Sequence, residues 1–170
     1  MITGGRGTKI FEEYLVLTIE NSHLIIDIGT SERFAKELRP YKDWFVGKNY
    51  LAGGYNPKNN FGEYNCDLHI DIENIPYEDN TVDSIICIEV LEHVRNPFKA
   101  IEEIYRTLKP GGKDFSEVNI EVLNGPVEML MTNARLFKLL KYKMIRKVVD
   151  IIDFPKVTKQ TSRHLVYAIK

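Results

Sequence analysis

Cysteine is scarce in this sequence, and its positions do not suit a disulfide framework or a thiolate metal site. The 170 residues include two cysteines, Cys66 and Cys87. They lie far apart and do not form the C-x-x-C spacing of many metal and redox sites. This argues against a disulfide-stabilised secreted domain and favours a reducing, cytoplasmic compartment.

Long hydrophobic runs and an excess of one charge are also missing. The longest apolar stretch near the start, Tyr14 to Ile19, is far shorter than a signal h-region or a membrane span of ~20 residues. We therefore expect an unexported chain with no transmembrane segment. The formal net charge is −1, so no overall basic field would draw the chain onto nucleic acid or an anionic membrane.

The remaining composition is that of one globular domain over residues 1–170. Apolar side chains make up 44% of the sequence, within the usual range for a single domain of this length. Short apolar runs alternate with amphipathic segments, which indicates a mostly parallel sheet covered by helices on both faces. The predicted strands are 23–29, 49–53, 67–70 and 82–88. The predicted helices are 31–38, which Pro40 would end, and the segment from Asn96 to Leu108, which Lys109-Pro-Gly-Gly112 would stop.

Ligands of such sheets bind beyond the carboxyl ends of the strands. Asp27 and Gly29 lie at that position after the first strand. Gly29 allows a sharp turn, and backbone N–H groups from Thr30 to Arg33 would face a carboxylate if they begin a helix. A tight turn that binds no ligand explains these residues equally well. Asp71 and Pro76 follow the third strand and suggest a shelf beside a planar ring.

Three motifs between Ile70 and Gly112 narrow the possibilities. They are Asp71-Ile-Glu-Asn-Ile-Pro76, Asp83-Ser-Ile-Ile-Cys-Ile-Glu-Val-Leu-Glu-His-Val94 and Arg106-Thr-Leu-Lys-Pro-Gly-Gly112. In this order they closely resemble the class I S-adenosylmethionine-dependent methyltransferases, of the methyltransferase type 11 kind. The resemblance implies an α/β, doubly wound, Rossmann-like fold whose seven-stranded, mostly parallel sheet has an antiparallel last strand. Residues 164–169 match that last strand.

The resemblance also implies a cofactor, S-adenosyl-L-methionine, and roles for individual residues. The cofactor-binding residues would be Asp27, Gly29 and Thr30 at the methionine part, Asp71 and Ile72 at the adenine, and the Ile88 backbone at the ammonium group. Glu89 and His93 would face the site as candidate catalytic residues, with a general base needed only for a hydroxyl acceptor. Capping or packing explains both side chains without catalysis. A metal site at His69, Asp71 and His93 is weakly supported because the spacing is wrong, so no metal is expected.

Two departures from the family pattern affect this cofactor site. The turn from Asp27 to Arg33 keeps one glycine where the family repeats them. Gly54 stands where the family has an acid that accepts hydrogen bonds from the ribose, unless Tyr55 or Asn56 substitutes for it. A charge-assisted hydrogen bond between an acid and the ribose contributes roughly 1.5–3 kcal/mol, so we expect weak cofactor binding without it. Gly54→Asp or Gly54→Glu is then expected to tighten the binding of S-adenosylhomocysteine.

The region after Lys113 allows two interpretations. Phe115 to Val122 alternates apolar and polar residues, as a sixth strand with one wetted face would, so a segment could be missing between Lys113 and Asp114. The alternative makes 116–123 the fifth strand, 127–147 a helix and 148–154 the sixth strand. A helix from Pro126 towards Val149 is expected either way. The simplest explanation of the basic face of this helix is a surface exposed to solvent. A more specific hypothesis is that this face contacts an anionic or lipid-linked substrate.

Together these features predict methyl transfer to an unidentified acceptor, either a small molecule or a group linked to a lipid or glycan. A non-catalytic domain that binds a partner is the alternative. An NAD-linked oxidoreductase is disfavoured because both the three-glycine fingerprint and the acid after the second strand are missing. The oligomeric state does not follow from the sequence.

Overall fold

The structure is a computed structural model that describes residues 9–34, 37–55, 65–121, 148–153 and 161–170. The helices are α1 (Lys9–Ile19), a 3₁₀ helix (Arg39–Phe45) and α2 (Pro97–Thr107). The strands are β1 (Leu24–Ile28), β2 (Asn49–Gly54), β3 (Leu68–His69), β4 (Val82–Ile88), β5 (Leu108–Glu121), β6 (Val148–Asp153) and β7 (Thr161–Ile169).

The first five strands form a parallel sheet in the order β3-β2-β1-β4-β5. In the described residues β7 lies antiparallel beside β5, and β6 pairs with the far side of β7. The parallel sheet confirms the α/β, Rossmann-like architecture. It also brings the carboxyl ends of β1, β2, β3 and β4 to one edge, where a ligand site is expected.

Two hydrophobic cores cover the two faces of this sheet. α1 and the 3₁₀ helix pack on one face through side chains such as Phe11, Leu15 and Phe45. α2 packs on the other face through Ile101 and Ile104. Adjacent residues of β1 and β4 enter opposite cores because side chains alternate across a strand. Burial on both faces explains the nearly continuous apolar runs of these strands.

The boundaries of α2 follow from its local sequence. The Asn96 side chain accepts a hydrogen bond from the Lys99 N–H at 3.2 Å, and Pro97 occupies the first turn. This start was predicted. β5 begins directly after the helix at Leu108, so the segment Lys109-Pro-Gly-Gly112 belongs to a strand and not to a free loop.

The helix predicted over residues 31–38 is wrong for the residues that the structure describes there. Ser31 to Phe34 form a bend, an isolated bridge and a turn, and Glu32 forms that parallel bridge with Asn65. Helical structure begins only at Arg39, with Pro40 in the first turn of the 3₁₀ helix. Proline is favoured at that position because it lacks the N–H that a helix start leaves unpaired. It therefore marks the beginning of a helix and not the end of one.

The interpretation of Phe115 to Val122 as a sixth strand is also wrong. β5 runs through Lys113 and Asp114 without interruption and pairs with both β4 and β7. Asp114 and Ser116 are polar, yet both are fully buried, as is Phe115 between them. Over these three residues both faces of the strand are covered, so polarity here does not indicate a wetted face and does not require a missing segment. Val148–Asp153 forms β6, as the alternative interpretation predicted, while the helix predicted before it lies outside the described residues.

Candidate cofactor site

Two adjoining cavities open at the carboxyl ends of the parallel strands. The larger has a volume of about 600 Å³, within the range of small-molecule sites, and the smaller about 200 Å³. Both are lined by the turn from Ile28 to Ser31 and by Glu89. The larger adds Tyr55, Ile70, Asp71, Ile72, Glu73, Val90, His93, Val94 and Arg95, and the smaller adds Asp27, Glu37, Leu38 and Ile88.

A sharp turn after β1 forms the wall between the cavities. Gly29 has a φ of +89°, and a Cβ there would lie 2.2 Å from the Val90 side chain. A larger residue is excluded on both grounds. The N–H groups of Gly29 and Thr30 both donate to the Gly53 carbonyl, at 2.7 and 3.2 Å. These bonds fix the turn against the end of β2.

The N–H groups after this turn do not face a ligand carboxylate, contrary to the prediction. The Glu32 N–H donates to the Thr30 hydroxyl at 3.4 Å, and the Arg33 N–H donates to the Asn65 carbonyl at 3.0 Å. The Phe34 N–H donates to the Tyr50 hydroxyl at 3.4 Å. Because the chain forms a bend, a bridge to Asn65 and a turn here, no helix N-terminus forms among the described residues of this loop.

Asp27 lies at the end of β1 beside the smaller cavity and is almost fully buried. Its carboxylate accepts a 2.6 Å hydrogen bond from the Tyr50 hydroxyl. Burial raises the pKa of Asp27 to about 7, the Tyr50 hydrogen bond lowers it, and the nearby Glu37 carboxylate raises it. Near neutral pH this group therefore exchanges between its charged and neutral forms.

Tyr50 was not singled out from the sequence, although it is the direct partner of Asp27. Its ring stacks on Phe34, with centroids 4.3 Å apart and an interplanar angle of 8°. The Arg33 guanidinium lies 5.4 Å from the Tyr50 centroid and pairs with Asp67 at 2.6 Å. A buried tyrosine needs a hydrogen-bond partner for its hydroxyl. A tyrosine in an apolar strand was therefore the feature of the sequence that could have indicated such a pair.

Asp71 and Ile72 lie on the wall of the larger cavity, at the end of β3. The Asp71 carboxylate accepts the Glu73 N–H at 2.9 Å, and its carbonyl accepts the Asn74 N–H at 2.9 Å. These bonds form a local turn that keeps the strand end rigid. Ile72 is buried and provides an apolar surface beside this turn.

Gly54 and Tyr55 differ in their relation to the larger cavity. Tyr55 lines it, and Gly54 is not among the residues that line either cavity. A Cβ on Gly54 would lie 2.7 Å from the Thr30 carbonyl oxygen and 3.2 Å from the Cys66 sulfur. A side chain at this position would clash with the Thr30 backbone. Tighter binding by an acid at Gly54 stays a prediction that this geometry disfavours.

Glu89 follows β4 and has an unusual backbone conformation for a residue other than glycine. Its φ is +54°, a conformation that costs a non-glycine residue energy and is concentrated at functional sites. It lines both cavities, whereas His93 is exposed and lines only the larger one, and Ile88 only the smaller. Arg95, which sequence reasoning did not select, also lines the larger cavity. Within the described ranges no group of three or more ligand-type side chains could hold a metal ion.

Comparison with known proteins shows a partial match to methyltransferases. Residues 51–115 match the family model described as a methyltransferase domain. An uncharacterized protein of Methanocaldococcus jannaschii is 54% identical over 43 residues, 25% of this chain and 19% of that protein. The ubiquinone/menaquinone biosynthesis C-methyltransferase UbiE of Brucella canis is 41% identical over 61 residues, 34% of this chain and 23% of that protein. The matched part thus spans about a fifth of these curated relatives.

A solved structure extends the comparison to the whole fold. A SAM-dependent methyltransferase from Aquifex aeolicus has a TM-score of 0.59 and 22% sequence identity, covering 95% of this chain and 87% of that chain. The family match over residues 51–115 and the shared fold support the class I S-adenosylmethionine-dependent methyltransferase family for this chain. Among its described residues, no helix is long and apolar enough to cross a membrane.

The residues of the cleft fit the family cofactor at its adenosine end. Tyr55, Asp71 and Ile72 offer an aromatic ring, a carboxylate and an apolar surface in one cavity of sufficient size. The smaller cavity is acidic, with Asp27, Glu37 and Glu89 in its lining, and suits an ammonium group. Asp27, Gly29, Asp71, Ile72 and Ile88, which the family resemblance assigns to cofactor binding, each line one or both of these cavities. Their roles in binding stay a prediction.

Proposed function

We propose that this chain binds S-adenosyl-L-methionine in the two adjoining cavities and transfers its methyl group to an acceptor that enters beside Glu89. The observation that carries the proposal is the pair of cavities at the carboxyl ends of β1 to β4. Part of their lining, including Asp71 and Glu89, belongs to the segment 51–115 that matches the methyltransferase family model. The larger cavity would hold the adenosine part and the smaller the amino-acid part. We also propose that β6 and β7 complete the seven-stranded sheet of the family, with β7 as its antiparallel last strand.

The cofactor, when bound, supplies a methyl group that is already activated on a sulfonium sulfur. The main tasks of the protein are then to orient the acceptor, to exclude water and to keep charges near the sulfur favourable. Glu89 borders both cavities and is the candidate to accept a proton from a hydroxyl acceptor. His93, exposed at the rim of the larger cavity, is the second candidate. Asp27 would act on the ammonium end, where its charge depends on pH near 7.

The acceptor is proposed to be a small molecule or a group linked to a lipid or glycan, and the compartment the cytoplasm. Similarity to a ubiquinone/menaquinone biosynthesis C-methyltransferase supports a lipid-like acceptor. The near-neutral composition supports neither nucleic acid nor an anionic surface as a general partner. The alternative is a non-catalytic domain that keeps this fold for partner binding, and the experiment below includes an outcome that favours it.

Calorimetric titration of the protein with S-adenosylmethionine, S-adenosylhomocysteine and NAD tests the proposal. We expect the first two to bind at one site and NAD not to bind. Glu89→Gln should bind S-adenosylhomocysteine yet lose labelled-methyl transfer, with exposed Glu78→Gln as the matched control. Binding of NAD alone, or no binding of either adenosyl ligand, would overturn it. Binding with no transfer to any acceptor fraction would favour the non-catalytic alternative.

A further inference from the structure

The end of β2 cannot carry a side chain in this protein. A Cβ on Gly54 would meet the Thr30 carbonyl oxygen at 2.7 Å. The Cys66 thiol donates to the same carbonyl at 3.2 Å, so the space beside Gly54 is already filled from two sides. Because one of the blocking atoms belongs to the backbone, it cannot rotate away. A carboxylate that would bind the sugar hydroxyls cannot be placed at this position.

The next residue provides an aromatic side chain on the cavity wall instead. Tyr55 lines the larger cavity together with Asp71 and Ile72, which end the neighbouring strand. Its ring stacks on His69, with centroids 5.4 Å apart and an interplanar angle of 5°. His69 is not among the residues that line the cavity, so it supports the Tyr55 ring from outside the site. This contact restricts the Tyr55 rotamers before a ligand binds. Less side-chain entropy is therefore lost on binding.

We propose that Tyr55 replaces the missing carboxylate as the residue that holds the sugar of the adenosine ligand, and that His69 is a positioning residue that orients it. A tyrosine hydroxyl both donates and accepts a hydrogen bond, so it can pair with a sugar hydroxyl, and the ring covers the apolar edge of the sugar. This inference rests on the proposed function, because it assumes an adenosine ligand in the larger cavity.

A neutral partner for the sugar changes the selectivity of the site. A buried carboxylate left without its hydroxyl partner is costly, so an acid site rejects ligands that lack that hydroxyl. A tyrosine hydroxyl at the cavity mouth can bond to water instead. We therefore expect this protein to lose only about threefold in affinity when the ligand lacks its 2′-hydroxyl, as a neutral hydrogen bond of ~0.5–1.5 kcal/mol implies.

The test measures the affinity of the protein for S-adenosylhomocysteine and for 5′-methylthioadenosine by calorimetry. Tyr55→Ala should weaken both by about tenfold, and Tyr55→Phe by about threefold, because the ring remains. His69→Ala should weaken the affinity for both ligands by about threefold. His69→Phe should restore both affinities, because a phenylalanine ring can stack on Tyr55. In the Tyr55→Ala background His69→Ala should have no further effect, since its contribution passes through Tyr55. Tyr105→Ala is the matched control, because Tyr105 is 38% exposed, against 40% for Tyr55, and lies on α2 outside both cavities.

Failure of this inference differs from failure of the proposed function. If the unsubstituted protein binds neither ligand, the proposed function fails. If it binds both and Tyr55→Ala binds them equally well, or if His69→Ala acts equally in both backgrounds, the inference is overturned. Melting temperatures of the variants distinguish lost binding from lost folding. If Tyr55→Ala does not fold, the comparison of Tyr55→Phe with Tyr105→Phe decides the point.

Discussion

The buried pair of Asp27 and Tyr50 combines a structural and an electrostatic role at one position. The 2.6 Å bond joins the end of β1 to the middle of β2, and the Tyr50 ring is held by Phe34. Burial raises the pKa of Asp27 from 3.8 to about 7. Because the folded pKa exceeds the unfolded one, this group contributes stability that is fully present below pH ~4 and is lost as the pH rises towards 7.

Tyr50→Phe is expected to destabilise the protein more at pH 8.5 than at pH 5. At pH 8.5 Asp27 is ionised and would lose its donor, which costs about 1–3 kcal/mol. At pH 5 the carboxyl is protonated and needs the hydroxyl less. Urea unfolding at the two pH values measures the difference.

Tyr41→Phe is the control for this prediction, since its hydroxyl contacts Glu12 at 3.3 Å outside both cavities. Its cost should be similar at both pH values. An equal cost for Tyr50→Phe at pH 5 and 8.5 would contradict the role assigned to the pair.

Gly54 provides a steric prediction at the same scale. Gly54→Asp should lower the free energy of unfolding by about 1–3 kcal/mol, because the added Cβ meets backbone, and it should not tighten S-adenosylhomocysteine binding. Gly47→Ala is the comparison, since Gly47 has a φ of +80° but open space around it. It should show the cost of strain without a clash. A stable Gly54→Asp protein with tighter binding would mean that the loop after β1 moves away.

At the scale of elements, β5 is the least conventional strand of the sheet. It places Asp114 in the buried centre, where its carboxylate accepts a hydrogen bond from the Ser116 hydroxyl at 3.0 Å. Burial raises the pKa of Asp114 to about 7, and the bond from Ser116 lowers it. The strand therefore carries an ionisable group where an apolar side chain would be favourable.

Asp114→Asn should stabilise the protein above neutral pH by up to about 4 kcal/mol, because burial raises the pKa from 3.8 to about 7 and one unit corresponds to about 1.4 kcal/mol. The gain should be small at pH 4 and should grow up to about pH 7, where the wild-type carboxyl ionises in the folded state. Denaturant unfolding from pH 4 to 8 measures this dependence. Exposed Asp43→Asn is the control, and a gain that does not vary with pH would show that Asp114 is not buried as described.

At the scale of the whole molecule, the sheet separates two cores that share no buried residue among the described ones. Phe11 contacts Phe115 edge to face, with centroids 5.1 Å apart, in one core. Ile101 is fully buried in the other. Both cores depend on the same strands, so the two faces should unfold together.

Phe11→Leu and Ile101→Val test this arrangement. We expect each to lower the free energy of unfolding by about 1–2 kcal/mol, and the double variant by the sum within about 0.5 kcal/mol, since the side chains share no contacts. Val46→Ala, at a side chain that is 79% exposed, should have almost no effect. Two separate unfolding transitions, or strong non-additivity, would contradict the two-core description.

Local sequence was sufficient for the elements whose residues interact with near neighbours. The apolar runs of β1 and β4 indicated buried parallel strands, and Asn96-Pro97 indicated the start of α2. Asp27 and Gly29 marked the turn at the site because an acid and a glycine directly end an apolar strand. The motifs from Asp71 to Gly112 pointed to the family before any contact was known, since they lie close together in the chain.

Contacts between distant residues decided the rest. Whether Gly54 can accept a side chain depends on Thr30 and Cys66, and the conformation of residues 31–34 depends on pairing with Asn65. The alternation in β5 could not distinguish a wetted face from two covered faces, because only packing against β4, β7 and the cores shows what surrounds Asp114. Periodicity reports which residues share a face, whereas the neighbours that cover that face are set by the tertiary structure.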